Sequence, residues 1–508
     1  MALIPPAPCE SVPSVPMPQG HRRLAQASKG SLRHWGEHPR SGVALFLAAG
    51  ALRCRRGRVV RQAKSEAQEA WFAHQAEQRT TSAGGELSER GLALLEDVEA
   101  PARKQEAFRY TDLDALLYGL PDAPGTSEAA SDDVLLPLLE DNEESFRLVF
   151  VDGVLQPGLC RLAPNEVAFL GGLEALQGSS AETQDRFQGL LKELPEVDLF
   201  EASPKDRLGC AKLAALNQAI FKDAACVAIP EADTPEMMLE IVFATTGACS
   251  TAPRIVLDVC KGRKVKVLET HLSLSESDEA LSNGLCRVVA AEGAQVHHEV
   301  LQQKAPTSRW VQSVTAQVAD GASYHLRSVQ TGCRAARLNA ALGLGGAKAS
   351  CELTGVMMAD DKQQLDLHSL VHHSVPSCRS KQQHKNLVGG SAECIFKGTI
   401  KVDAEAQQTE SSQIVRSLLL TPKSKVKAMP SLQIQADDVS CSHGAALTQL
   451  DQNELFYLAS RGLNGQDARR LLLNGFPTDL LDGLKDLAPK AHARVMDKIA
   501  AMAEKNDR

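Results

Sequence analysis

The chain has 508 residues, 43% of them hydrophobic and 23% charged, an ordinary balance for a soluble globular protein with room for about three domains. Its formal charge of -8 averages two unlike parts: residues 1–64 hold 11 Lys/Arg and 2 Asp/Glu, and the remainder carries a net -17. An acidic body with 4% aromatic residues lacks the basic face and stacking rings that nucleic-acid binders use, so that class is disfavoured.

Prolines at positions 5, 6, 8, 13, 16 and 18 deny the first 20 residues a helix. Arg22, Arg23, Lys29, Arg33 and Arg40 follow, then an Arg cluster at 53, 55, 56, 58 and 61. An Arg-rich, Ser-containing, acid-poor segment reads as a disordered organelle transit peptide over 1–64, the bland alternative being a disordered basic tail. The apolar run from Val43 to Leu52 is ten residues long, about half of a membrane span, so no anchor is read there. Thirteen cysteines occur singly, without a C-x-x-C pair. They fit free thiols in a reducing compartment better than a disulfide framework or a zinc ribbon.

Residues 65–222 predict a mostly helical region. Ser65–Gln78 and Leu87–Leu95 have helical composition and spacing, and 121–145 reads as an acidic linker containing a short Leu run. Phe146–Val151 is a strand candidate closed by the turn dipeptide Asp152-Gly153, and 164–222 returns to helix. From 223 to 446 short apolar runs recur, among them Ala225–Ile229, Arg254–Val259, Lys264–Leu268 and Trp310–Val318. Evenly spaced short strands fit a sandwich, a barrel or a parallel β-helix, and rungs of small aliphatic side chains need few aromatics, which favours the solenoid. No sharp repeat of fixed period stands out. Residues 447–508 are helical again, with Asp451 as the first cap, Gly462 as a helix end and Asn464 as the next cap.

Catalytic signatures are missing: there is no P-loop, no G-x-S-x-G elbow and no H-E-x-x-H. Gly343-Leu344-Gly345-Gly346 is an isolated glycine cluster, a weak phosphate-cradle candidate. His368, His372 and His373 cluster in LDLHSLVHH, where a strand puts His368 and His372 on one face and His373 on the other. That spacing leaves two readings, a two-His metal face or hydrogen-bonded inter-rung histidines. In DDVSCSHGA, Cys441 and His443 are two apart and share a face on a strand. A thiolate and an imidazole together suit a soft transition metal or an iron–sulfur cluster, whereas a buried Cys beside a hydrogen-bonded His is the structural alternative.

Asp437 to Gly444, followed by Leu450-Asp451, the FYL of Phe456–Leu458 and Ser460-Arg461-Gly462, closely resembles the C-terminal signature of SufD-type iron–sulfur cluster assembly proteins. Pro101–Leu113 (PARKQEAFRYTDL), Val149–Gly153 (VFVDG), Phe396–Gly398, Ala406–Thr409 and Leu418–Leu420 resemble further motifs of that family, so the likeness runs over roughly 65–476. The related SufB-type chains carry a Cys before the Leu-Leu rung and an HEAT-like element at the C-S-H-G position. Thr409–Leu418 has no Cys and Cys441–Gly444 reads CSHG, so both points favour SufD. Ser431 and Pro477 depart from the pattern, at a rung and at a helix.

The resemblance implies a mainly β fold, a right-handed parallel β-helix core over 223–446 between α-helical N- and C-terminal domains. It implies a non-ATPase scaffold subunit in complex with a SufB-type scaffold and a SufC-type ATPase, holding a transient iron–sulfur cluster at the subunit interface and binding no nucleotide itself. His443 is the implied iron ligand, Cys441 assists, and the C-terminal helices with Phe456, Tyr457 and Arg461 dock the ATPase. The family's usual location implies a plastid stroma, with the mitochondrion as alternative; neither nucleic acid nor membrane is an expected partner. Two rival readings are a β-helix carbohydrate-active enzyme and a purely structural subunit with inert Cys441 and His443.

Overall fold

Alternation in the short apolar runs builds the core. In Lys264–Ser273 the side chains of Val265 and Val267 enter it, and Lys264 and Lys266 stay outside. A computed structural model describes residues 66–77, 85–118, 132–162, 169–194, 208–230, 236–247 and 249–505, so the 1–64 segment and its transit-peptide reading lie outside the described residues. The chain winds as a parallel β-solenoid, contributing strands alternately to two ten-stranded sheets. Lys264–Ser273, Gln295–Gln303, Ser323–Gln330, Ser350–Ala359, Arg379–Val388, Thr409–Leu419 and Val439–Gln449 stack in the first sheet. Leu281–Ala290, Arg309–Val318, Ala335–Leu344, Gln364–His373, Glu393–Val402 and Lys425–Ile434 stack in the second.

Between the sheets lies a core of Val, Leu, Ile, Ala, Met and Cys with six large rings, Phe146, Phe150, Phe243, Trp310, Tyr324 and Phe396. Narrow rungs are filled by small side chains, which accounts for the low aromatic content. None of the eleven described cysteines is in a disulfide and seven are buried, as small core residues are. Rung length varies: Ser350 stacks on Arg379 and Arg379 on Glu410, steps of 29 and 31 residues. That drift hides the repeat from a fixed-period reading.

Each outer sheet face is apolar in part and is covered by helices. Leu268, Leu301, Val329, Val356, Leu387 and Leu418 on the first sheet pack against Leu480, Leu484, Val495 and Ile499 of the C-terminal helices Thr478–Leu487 and Pro489–Lys505. Leu281, Val311 and Ala335 on the second sheet lie under Phe72, Phe108, Leu116 and Leu216 of the N-terminal region. Each such side chain removed from water contributes roughly 1.5–3 kcal/mol.

Phe146–Val151 forms a strand that pairs parallel with Met237–Thr245, so the first sheet begins well before 223. The Leu run inside 121–145 is packed structure, with Leu135 and Leu139 buried against Val149, Val151 and Val242. Asp451 caps Gln452–Ser460 through Asn453 N–H (2.8 Å), and Asn464 caps Gly465–Gly475 through Asp467 N–H (2.8 Å). Both departures from the family pattern are accommodated. Ser431 sits in an unbroken strand opposite Thr399, and Pro477 separates two helices as the N-cap of Thr478–Leu487. The glycine cluster is a packing device, since a Cβ at Gly346 would lie 2.0 Å from the backbone nitrogen of Asp320 in the adjacent turn.

Candidate functional site at the open end of the solenoid

Val439–Gln449 is the edge strand of the first sheet, paired only with Thr409–Leu419, and Lys425–Ile434 is the edge of the second. No described element caps this end. Inner faces that are buried in every earlier rung are therefore open here, and an unpaired edge is a template for a partner strand. Cys441 and His443 have the same parity, about 7 Å apart along the strand from its rise per residue, and both project toward the mouth. Cys441 is half-buried beside Ile400, Val402, Leu432 and Val439. Burial pushes its thiol pKa up, and a hydrogen bond with the backbone of Ser411 only partly offsets this. In the isolated chain the group is thus a neutral thiol, which a cation would convert to a thiolate. His443 is exposed and makes no hydrogen bond with a described residue. Its neighbour in register, Gln413, is fully buried, and both its carboxamide atoms are unpartnered among the described residues. Leu447 and Ile434 add exposed apolar surface to the same end.

Phe456, Tyr457 and Arg461 lie beyond it on and after Gln452–Ser460, a helix that buries none of its residues. Phe456 is 76% and Tyr457 57% exposed, and the Arg461 guanidinium sits 5.1 Å from the centre of the Tyr457 ring. A cleft lined by Tyr457, Leu458, Leu471 and Leu472 runs between this helix and the next.

The His368 group follows the strand parity and is held in hydrogen bonds. His368 Nδ1 meets Arg337 at 3.0 Å on the outer face while its Nε2 stands 2.9 Å from Asp366 Oδ1, and His372 bonds Asp403 at 2.7 Å. His373 points inward to Ser380 at 2.9 Å. Burial holds His368 and His373 down to about 4. Partners within the chain, Arg337 and Asp403 in neighbouring rungs and Ser380 in the same turn, account for all three without a metal.

A group that spacing did not reveal lies inside the solenoid. Glu269 is fully buried and accepts hydrogen bonds from His271 Nε2 (2.7 Å), Gln312 Nε2 (2.7 Å) and His298 Nε2 (3.0 Å). His298 Nδ1 meets the Tyr324 hydroxyl at 2.8 Å. Burial opposes ionisation of Glu269, but His271 and His298 outweigh it and hold the carboxyl below its usual range. Cys286 stands close by, across the solenoid interior. The signal was the alternation of Lys264–Ser273: with Val265 and Val267 inward, Glu269 and His271 must be inward too. Cys286 and His298 come from two further strands, with no fixed offset to find.

Among the described residues no helix is long and apolar enough to cross a membrane. A groove lined by His297, His325, Glu352, Arg379, Lys381 and Glu410 presents no exposed aromatic platform for a sugar.

These features define a two-sheeted parallel β-solenoid with helical flanks and an uncapped last rung. Residues 242–476 match the family model described as the SufBD core domain of SUF-system iron–sulfur cluster assembly. Within those residues the chain carries the SufBD core shared by iron–sulfur cluster assembly proteins of the SUF system. It is 28% identical over 403 residues to the chloroplastic protein ABCI7 of Arabidopsis thaliana, covering 78% of this chain and 81% of that one. It is 27% identical over 395 residues to SufD of Escherichia coli, covering 76% and 86% of the two chains. A SufBD family protein of Synechocystis is 27% identical over 402 residues, with 77% and 85% covered.

Proposed function

We propose that this chain is a SufD-type, non-catalytic scaffold subunit that helps build a nascent iron–sulfur cluster at an interface with a SufB-type partner. The observation that carries the reading is the uncapped last rung, where Cys441 and His443 share one face of an edge strand. The cluster is cargo. His443 offers iron an exposed imidazole that makes no hydrogen bond with a described residue. Cys441 becomes a ligand or a sulfur carrier only when iron or a partner displaces its proton. ATP hydrolysis belongs to a SufC-type ATPase docked on the exposed helix Gln452–Ser460, and its binding shifts the two solenoids between a covered and an open state. The chloroplastic relative and the basic segment together favour the plastid stroma as the working compartment.

The test is His443→Ala in the complex co-expressed with both partners. The expected result is an intact complex that fails to assemble a cluster on anaerobic reconstitution with iron and sulfide. Wild-type reconstitution by that variant overturns the role of His443 and leaves a purely structural subunit.

A further inference from the structure

We infer that Glu269, Cys286 and His298 form a second, internal site that binds one borderline-soft divalent metal ion, of the zinc, ferrous or cobaltous class, independently of the open end. One ligand atom from each lies within 4.8 Å of the others, and all three residues are buried. An ion whose bonds to nitrogen, oxygen and sulfur run about 2.0–2.3 Å can gather them with small side-chain movements. A carboxylate, a thiolate and an imidazole exclude calcium and magnesium, which take oxygen ligands.

Two further observations point to a missing guest. First, Glu269 Oε1 already accepts from both His271 and Gln312, whereas Oε2 has only His298 as donor. Second, three buried polar atoms on side chains of this cluster have no partner among the described residues: His271 Nδ1, Gln312 Oε1 and Trp310 Nε1. His271 and Trp310 rings stand 5.3 Å apart. Buried polar atoms left without a partner carry the full cost of desolvation. The sequence also makes room for the cluster: a Cβ on Gly284 would lie 1.8 Å from Gln312 Oε1, so glycine there lets Gln312 reach Glu269. Tyr324 completes the support, because an imidazole bound to metal through one nitrogen directs the other at a hydrogen-bond partner.

Binding forms a metal–sulfur bond and releases the Cys286 proton to solvent. Glu269 binds through a carboxylate lone pair, and His298 binds through Nε2 once the proton it donates to Glu269 has shifted to Nδ1, which then donates to the Tyr324 hydroxyl; no electron is transferred. With its ligands buried, the site is loaded as the solenoid closes during folding, and the ion is then held rather than exchanged.

The test uses the full chain expressed in minimal medium supplemented with Co2+, in a Cys441→Ser/His443→Ala background so that the open end supplies neither ligand. The expected result is about one Co2+ per chain retained through gel filtration, with a thiolate-to-cobalt charge-transfer absorption. Cys286→Ser is expected to lose that absorption, and Glu269→Gln most of the metal. No retained cobalt in the background protein, or an absorption that survives Cys286→Ser, overturns the site. Because the background protein keeps all three ligands, the proposal is decided even if Cys286→Ser fails to fold.

Discussion

Buried imidazoles make this molecule acid-sensitive for a reason visible in single residues. His384 lies inside the solenoid with its ring centre 4.5 Å from that of Phe396, and neither ring nitrogen has a partner among the described residues. Burial alone pushes it down to about 3. His368 and His373 are held at about 4. An unfolded histidine takes up its proton near pH 6.5, so between there and about pH 4 the unfolded state binds protons that the native state refuses. The contribution of these residues is complete above pH 6.5 and is lost as pH falls, at about 1.4 kcal/mol per pH unit for each histidine. Urea unfolding at pH 7 and pH 5 is expected to show this loss, and His384→Leu to lessen it by about one proton's worth; an unchanged slope contradicts the assignment. Arg337 is the second lever. It is fully buried, pairs with Asp366 at 2.9 Å and bonds Ala107 O and Thr111 Oγ1, tying the N-terminal motif to the second sheet. Arg337→Ala leaves the buried Asp366 without its guanidinium partner and is expected to cost roughly 3–5 kcal/mol in urea unfolding; a loss under about 1 kcal/mol contradicts that role. Cys441 and His443 were legible in the sequence because strand parity fixes which neighbours share a face. The internal group was only half legible, since Cys286 and His298 meet Glu269 through rung stacking, which no local spacing encodes.

Elements were read well where the apolar pattern is local. Ala225–Ile229, Arg254–Val259 and Phe146–Val151 have the bounds the apolar runs predict, closed by the expected turn residues. The pairing of Phe146–Val151 with Met237–Thr245 was not legible, because the two segments are separated by some 90 residues of other structure. The C-terminal helices divide into two kinds. Thr478–Leu487 and Pro489–Lys505 bury Leu480, Leu484, Val495 and Ile499 on the solenoid. Gln452–Ser460 buries nothing and displays two aromatic rings. A helix with no buried residue that leaves Phe456 76% and Tyr457 57% exposed points to a partner for these rings. Phe456→Ala and Tyr457→Ala are expected to leave unfolding stability within about 0.5 kcal/mol and to abolish co-elution with the SufC-type ATPase proposed to dock here. Retained co-elution moves the docking surface elsewhere.

At the scale of the whole molecule, the solenoid is covered on both sheets by helices and, among the described residues, is left uncapped at its last rung. The low aromatic content and the scattered thiols are consequences of stacking small side chains in that interior. The open edge and its Cys-x-His strand are where the fold leaves backbone groups, apolar surface and two soft-metal donors exposed together. The most direct measurement labels the histidines of this chain alone with 15N and reconstitutes the cluster on its complex with unlabelled SufB-type and SufC-type partners. Pulsed EPR of the reduced cluster is then predicted to show a 15N hyperfine coupling that disappears in His443→Ala. A cluster without that coupling, or a coupling that persists in the variant, contradicts the claim that this chain contributes His443 to the nascent cluster.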